Sequence, residues 1–420
     1  MGRTPITAIQ IIGAHLRLTL IRAITQGETG TIQYVKNADP DKQLQGTNGA
    51  KVVAFTESVT NNVAGAVKPI LQSSTVENTD VNIIILTYDI DLDETSVPDS
   101  LDFDIPGKTI GVEVLITGNT VLIQVDQPFY WGDSGTVAYT KPGTNMIKSL
   151  SGREADSFTA TAITNNVDLD SDASTFITAA SITDATQKQA VDQLVQGLKA
   201  DSIWTPMKAI YPMVGGTAAT HKWNLKDPQD LDASFRLNFV NSWVHAATGA
   251  TPDGLTAYAD TFITPNSVLT FGSNHCSYYS RTNTAKGYDI GVSDGSLGTV
   301  NEFILICKYT DNKAFFSADG NYNCTVANAV GSGMYSGGIA DTTIQRLYKN
   351  GLEIKNIASV GSAFSNRKIA LAACNSNNVY GLFGNKECAF ASIGTGLTPT
   401  QHANLYTRVQ AFQTKLSRNV

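Results

Sequence analysis

Residues 139–167 read YTKPGTNMIKSLSGREADSFTATAITNNV, and residues 34–63 read YVKNADPDKQLQGTNGAKVVAFTESVTNNV. Both begin Tyr-x-Lys, cross a polar Gly-containing middle, reach a Phe (Phe55, Phe158) and close on Thr-Asn-Asn-Val. The match extends backwards. Gly27-Glu28-Thr29-Gly30-Thr31 lies over Gly132-Asp133-Ser134-Gly135-Thr136, and Gly13-x-x-Leu16-x-Leu18-x-Leu20 lies over Gly118-x-x-Val121-x-Ile123-x-Val125. A period of about 100 residues, with turn signals every ten or so, predicts tandem β-sandwich modules.

The second copy has more in front of it. Residues 70–71, 81–88 (VNIIILTY) and 101–105 supply further strands, and the first copy has no counterpart to them. Residues 1–63 therefore read as the back half of a module, and 64–167 as a complete one of about seven strands. A half sandwich leaves an apolar sheet face uncovered and a strand edge open. Either the chain is a piece of a longer array, or the half module is an element that docks onto something else, or residues 1–63 are a divergent free-standing small domain.

Residues 168–203 change character. Asp184-Ala-Thr-Gln187 is a capping-box-like start, and Ala190, Val191, Leu194, Val195 and Leu198 recur at helical spacing, which predicts a joining helix over 184–200. Residues 204–420 form the largest unit. Strands are expected over 235–239, 266–271, 276–280, 303–308, 313–318, 344–349, 368–373 and 379–383. Asn350-Gly351 is a strong hairpin turn. Thr398-Pro399-Thr400-Gln401 starts a terminal helix, whose Leu405, Val409, Phe412 and Leu416 line one face.

Composition narrows the function. The 420 residues carry a formal charge of −7, with no basic patch interleaved with aromatics, so a nucleic-acid partner is not expected. No apolar run is long enough to span a membrane, and no membrane insertion is expected. The alternating N-terminal residues 1–20 do not read as a secretory signal. The five cysteines all lie at or beyond Cys276, are odd in number and form no CxxC pair; they read as small buried hydrophobes in a reducing compartment.

Motifs for chemistry are weak. Asp89, Asp91, Asp93 and Glu94 could gather calcium or simply solvate a strand end, and the later Gly and Glu of an EF-hand loop are missing. The five His show no metal spacing, so neither metal nor cofactor is expected. Gly132-Asp133-Ser134-Gly135 has the outline of a serine-protease nucleophile motif. Its repeat partner Gly27-Glu28-Thr29-Gly30 shows that the slot is a turn. Residues 331–338 (GSGMYSGG) lack the Lys-Ser/Thr of a phosphate loop and read as a flexible turn. Sugar binding needs a flat aromatic beside fixed amides or carboxylates. The candidates are Trp223, Trp243, Tyr258, His275, Tyr278, Tyr279, Arg281 and Asn283, and alternation places Tyr278 and Tyr279 on opposite faces.

Two stretches carry a family resemblance. LTYDIDLDETSVP, TGNTVLIQV, GTVAYTKPGTN and the closing TNNV make residues 64–167 similar to the Ig-like repeats of large bacterial surface and swimming-motility proteins, which also occur in phage virions. IWTPMKAIYPMVGGTAATHKWNLKDPQDLDASFRLNF, then SYYSRTN and the terminal helix, resemble concanavalin A-like (lectin/glucanase, laminin-G-like) domains of head or tail fibres of phages infecting gut Bacteroidetes. The resemblance implies an all-β chain: a partial Ig-like module (1–63), a complete one (64–167), a helical linker (168–203) and a jelly-roll sandwich with a C-terminal helix (204–420). It implies a virion fibre or decoration protein, assembled in the host cytoplasm with other virion proteins or copies of itself, that attaches to host surface polysaccharide. A secreted adhesin fragment and a polysaccharide-degrading enzyme are the alternatives. Glucanases of this fold carry Glu-x-Asp-x-(x)-Glu on one strand. No such run occurs here: Asp289 and Asp294 flank a short stretch, and Asp227, Asp230, Asp232 and Asp341 lack that spacing, so no catalysis is expected.

Overall fold

The computed structural model describes the whole chain except residues 1–4, 13, 23, 25–27, 62–66, 296–300, 319–323, 342 and 360–362. Gly13, Gly27, Asn62 and Val63 of the repeat lie outside the described residues. The chain is all-β, built of sandwiches with a C-terminal helix, and divides into two compact units: 1–128 with 134–164, and 129–133 with 165–420.

In the first unit the complete module has two sheets. One runs Leu71–Glu77, Asp80–Tyr88, Thr120–Val125, Ile110–Thr117, and the other runs Phe158–Ala162, Thr136–Tyr139, Phe103–Asp104. Alternation sends Ile84, Leu86, Val121, Ile123 and Val125 inward with Tyr139 and Phe103, all buried. Each such side chain contributes roughly 1.5–3 kcal/mol through burial.

The repeat holds at the level of single hydrogen bonds. Tyr34 pairs across the strands with Phe55, ring centroids 5.7 Å apart; Tyr139 pairs with Phe158 at 5.8 Å. Each tyrosine hydroxyl accepts a backbone N–H from the loop that follows: Leu44 at 2.8 Å and Ile147 at 3.1 Å. The same side-chain amide tie recurs, Asn61 to the Glu28 carbonyl (3.0 Å) and Asn165 to the Asp133 carbonyl (2.9 Å). The first copy keeps two hairpins, Ile6–Ile12 with His15–Leu20 and Gly30–Tyr34 with Phe55–Val59, each a separate two-stranded sheet.

Asp89, Asp93 and Glu94 serve turns. Asp89 accepts the Ile70 N–H (2.8 Å), Asp93 accepts Thr95 N–H and Oγ1 and pairs with Lys148 (3.2 Å), and Glu94 accepts the Gly118 N–H (2.9 Å). Among the described residues no group of three His, Cys, Asp or Glu is placed to hold a metal, and no helix is long and apolar enough to cross a membrane.

The second unit is a larger sandwich. One sheet is ordered Trp243–Ala246, Gly249–Pro252, Cys388–Gly394, Asn274–Ser280, Gly333–Ile339, Ile344–Lys349, Leu352–Ala358, with Met207–Tyr211 also on Cys388–Gly394. The facing sheet is ordered Asn238–Val240, Tyr258–Asp260, Ala370–Leu371, Ile290–Ser293, Glu302–Ile306, Lys313–Ser317, Thr325–Ala327. Tyr211, Tyr278, Val292, Phe303, Phe316 and Tyr335 fill the space between them. The five cysteines are buried and unbridged. Asn350 and Gly351 both take positive φ (49° and 75°), as the expected hairpin turn requires.

Where one joining helix is expected, there are two, Ser171–Ala179 and Ala185–Ala200, and both belong to this unit's core. Val191, Leu194 and Leu198 pack with Leu405, Val409 and Phe412 of the Pro399–Lys415 helix, and with Tyr279, Met334 and Phe390 on the outer face of the first sheet. Asp184 caps Gln187 N–H at 2.8 Å, and Thr398 with Gln401 forms a full capping box. One expected strand is not formed and another is cut short. Over 266–271 the chain makes the one-turn helix Pro265–Val268, and at 235–239 only Asn238–Val240 is extended, because Phe235 takes a left-handed φ of 58°.

Candidate functional site

The facing sheet's outer surface carries the site. Ala259 points into the core, so Tyr258 and Asp260 point out. Ala370 and Gly291 share this outer face, being paired in register with Asp260 and with each other. Gly291 has a specific role: a Cβ there would meet the Ala373 carbonyl at 2.8 Å and Cys374 Cα at 2.9 Å. Its absence lets the segment after the Ala370–Leu371 strand lie across the sheet. That segment makes the hairpin Cys374–Ser376 and Val379–Gly381, turned by Asn377 and Asn378 at φ 52° and 66°.

The hairpin delivers Tyr380 onto Tyr258. The rings stack with centroids 3.8 Å apart and planes within 13°, and both stay half-buried. Asp260 lies beside them. Its carboxylate accepts the Phe262 N–H (2.7 Å), a Lys368 ammonium N–H (3.3 Å) and the Tyr380 hydroxyl (3.5 Å). Lys368 Nζ also sits 4.3 Å over the Phe262 ring. Burial, reinforced by the Asp260 charge, pushes both tyrosine hydroxyls up, so both are neutral donors at physiological pH. The result is a paired aromatic platform edged by a fixed carboxylate and an exposed ammonium. It can stack an apolar ring face and hydrogen-bond hydroxyls, and it has no activated nucleophile.

The sequence candidates scatter. Trp243 lies next to the platform: its Nε1–H donates to the Tyr258 carbonyl at 3.2 Å, and its ring packs edge-on against Phe239. Trp223 packs on the helical side of the unit, with Lys222 Nζ 4.9 Å from its ring. His275, Tyr278 and Tyr279 are completely buried, which corrects their candidacy. Alternation does send the two tyrosines to opposite faces, but both faces are covered, one by the facing sheet and the other by the helices. Their hydroxyls are consumed by the Lys386 carbonyl (2.9 Å) and Gln410 (3.0 Å), and His275 Nδ1 meets the Thr395 carbonyl at 2.5 Å. Arg281 is structural, pairing with Glu387 (3.0 Å) and donating to the Arg418 carbonyl (2.8 Å). Asn283 accepts the Gly331 N–H (2.7 Å), and the Gly-rich stretch, expected as a flexible turn, instead enters the fully buried strand Gly333–Ile339, paired on both sides. Tyr380, Asp260, Lys368 and Phe262 were not singled out. The Asn377-Asn378 pair was the available signal, since two Asn in sequence favour a tight hairpin turn.

No family model matches the chain, and no curated protein matches it. Among solved structures, domain 4 of AbnA, a GH43 extracellular arabinanase of Geobacillus stearothermophilus in complex with arabinotriose, is 14% identical, covers 47% of this chain and 97% of its own, and gives a TM-score of 0.30. A mutant sialidase of Trypanosoma rangeli is 8% identical over 70% of this chain and 44% of its own, at 0.35. The Ruminococcus gnavus IT-sialidase CBM40 bound to sialyllactose is 14% identical over 29% and 74%, at 0.22. At these scores and identities none assigns this chain a family or an activity.

Proposed function

We propose that the second unit is a glycan-binding module, and that the chain is a non-enzymatic fibre or decoration protein of a phage particle. The observation that carries the binding reading is the Tyr258–Tyr380 stack edged by Asp260 and Lys368. Pyranose rings present apolar C–H faces and peripheral hydroxyls. A flat aromatic with one acceptor and one donor at its rim answers both. The hairpin that builds the platform is held from beneath by core packing, so the site is preformed and binding orders little. One shallow platform binds weakly, and many copies on a particle raise overall binding through avidity.

A hydrolase would need two carboxyl groups facing each other across the bound sugar. Asp260 is instead tied to Lys368, Tyr380 and the Phe262 N–H, a stationary acceptor in the proposed site. The particle role rests on the resemblance of residues 64–167 and 204–420 to virion modules. A secreted adhesin is the second reading, and it shares the same sugar site.

The test is binding of the purified chain to an array of bacterial surface polysaccharides, repeated with Tyr380→Ala and Tyr258→Ala. At least tenfold weaker binding by both variants, with melting temperature within a few degrees of the parent, supports the sugar site. Undiminished binding by both variants removes it. Mass spectrometry of purified particles separates the particle role from the adhesin role.

A further inference from the structure

Two rows of side chains cross the aromatic platform, and strand register sets them. Asn238–Val240 pairs antiparallel with Tyr258–Asp260, with Asn238 opposite Asp260 and Val240 opposite Tyr258. Directly paired residues share a face, and Phe239 packs into the core beside Ala259. Asn238 and Val240 therefore lie on the outer face with Tyr258 and Asp260. One row is apolar: Val240 and Tyr258, with Tyr380 stacked on Tyr258. The other is polar: Asn238 and Asp260, with Lys368 on the Asp260 carboxylate. Asn238 is exposed, and among the described residues nothing hydrogen-bonds its amide. Rows two residues apart along a strand are separated by about 6.6 Å, so a ring lying on the aromatic row turns the hydroxyls of one edge toward the polar row.

The charges beside the polar row cancel. Lys368 Nζ is 3.3 Å from Asp260 Oδ2. Arg236, the other cation over the Phe262 ring, is held by Asp230 at 2.9 Å and Asp232 at 2.8 Å, and Asp230 also takes Lys222 at 2.6 Å. Arg367 is turned to the hairpin tip, where it donates to Asn377 (2.9 Å). No cation beside Asp260 is left over for an anionic ligand. A sugar carboxylate, sulfate or phosphate at this rim would be desolvated against Asp260, with no free cation to offset the repulsion. A neutral sugar meets no such penalty. Its hydroxyls donate to Asp260 and accept from Lys368 and the Asn238 amide.

We propose that the site selects neutral sugars with hydroxyls on adjacent carbons, and that Asn238 is a further binding residue in it. This rests on the sugar-binding reading of the Tyr258–Tyr380 platform. The vicinal pair is the match because Asn238 and Asp260, with Cβ atoms about 5 Å apart, set an amide N–H beside a carboxylate oxygen. One hydroxyl accepts from the amide while its neighbour donates to the carboxylate. Asp260 sets the class of sugar. Its charge cancels that of Lys368; without it, Lys368 is a free ammonium at the rim and suits a sugar carboxylate.

The test uses the full chain on the array of bacterial surface polysaccharides, with each uronic-acid polymer placed beside its carboxyl-reduced, neutral form. About 0.15 M salt screens charges beyond roughly 8 Å, so the chain's net charge of −7 does not decide the result. Neutral polymers are expected to bind most tightly, and reduced forms about tenfold or more tighter than their acidic parents. Asn238→Ala is expected to weaken neutral binding roughly three- to tenfold, the loss of one hydrogen bond, at an unchanged melting temperature because the side chain is exposed. Asp260→Asn keeps an acceptor for the Phe262 N–H and frees Lys368, so it is expected to shift preference about tenfold toward the acidic parents. A parent chain that prefers acidic polymers to their reduced forms, while still needing Tyr380, overturns the neutral selection and leaves the sugar site standing. An Asp260→Asn variant with unchanged preference does the same. Undiminished binding by Asn238→Ala overturns its role as a binding residue. No binding to any polymer overturns this inference together with the sugar site.

Discussion

Lys386 Nζ lies 3.3 Å from Asp289 Oδ1, and neither side chain reaches solvent. The pair is built into the sandwich. Asp289 also accepts the Cys307 N–H (2.7 Å), and Lys386 Nζ also donates to the Lys286 carbonyl (2.8 Å). Burial pushes the Asp289 carboxyl up, and the ammonium opposes that shift. Removing one partner leaves the other charge uncompensated in a dry interior. Asp289→Asn is expected to cost about 3–5 kcal/mol, whereas Asp289→Leu with Lys386→Met recovers at least half of the loss. Urea unfolding of the two variants checks this, and equal stabilities would show that the ion pair is not what matters at this site.

Three buried histidines make the second unit acid-sensitive. His221 is held down to about 3, by burial first and then by His245 and Arg418. His275 is held at about 4 by burial, and His402 well below its usual value by burial and by His275. The Gly216 N–H donates to His221 Nε2 (3.2 Å), so the ring proton is on Nδ1, where it donates to His245 Nδ1 (3.0 Å). Protonating His221 sets two donors face to face. In the unfolded chain each histidine takes its proton near 6.5. Between 6.5 and about 4 the unfolded state therefore binds more protons, and stability falls as pH is lowered through that window and is flat above it for these groups. The urea midpoint should drop steadily from pH 7 to 4.5, and less steeply in His275→Gln. A midpoint constant over that range would contradict the buried neutral histidines.

The parts of the fold that the sequence announced are those set locally. The repeat was legible because Tyr34 and Tyr139 each organise a strand, a loop hydrogen bond and a facing Phe within about thirty residues. The Asn350-Gly351 turn and the Thr398–Gln401 cap follow from the φ values and donors that those residues alone supply. The burial of Tyr279 was not legible, because it depends on helices drawn from both ends of the second unit closing over one sheet face. The site was hidden for the same reason. Tyr258 and Tyr380 meet only because Gly291, on a third strand, leaves room for the chain that carries Tyr380.

Arg418 closes the second unit with a buried charge whose hydrogen bonds go to carbonyl oxygens. It is 1% exposed and donates to the carbonyls of Pro212 (2.7 Å), Met213 (2.6 Å) and Ala389 (2.9 Å) and to Gln413 Oε1 (2.5 Å). Burial lowers its affinity for the proton to about 9. A planar fork is needed to reach these acceptors from one side chain. Arg418→Met leaves several buried carbonyls without a donor and is expected to destabilise by about 3–5 kcal/mol; Arg418→Lys, with three donors on one atom, recovers only part. Thermal melts of the two variants decide the matter, and a parental melting temperature for Arg418→Met would mean that water replaces the guanidinium.

Tyr34 and Tyr139 make the same hydrogen bond in different surroundings, which separates bond from burial. Tyr139 is 1% exposed and its hydroxyl accepts from Ile147 N–H; Tyr34 is half-buried and accepts from Leu44 N–H. Replacing either with Phe leaves one amide without its acceptor. At Ile147 that amide is enclosed, and the expected cost is about 1–3 kcal/mol. At Leu44 water can take the acceptor's place, and the expected cost is about 0.5 kcal/mol or less. Urea unfolding of the two Tyr→Phe variants measures both costs, and equal costs would show that enclosure of the amide is not what sets the loss.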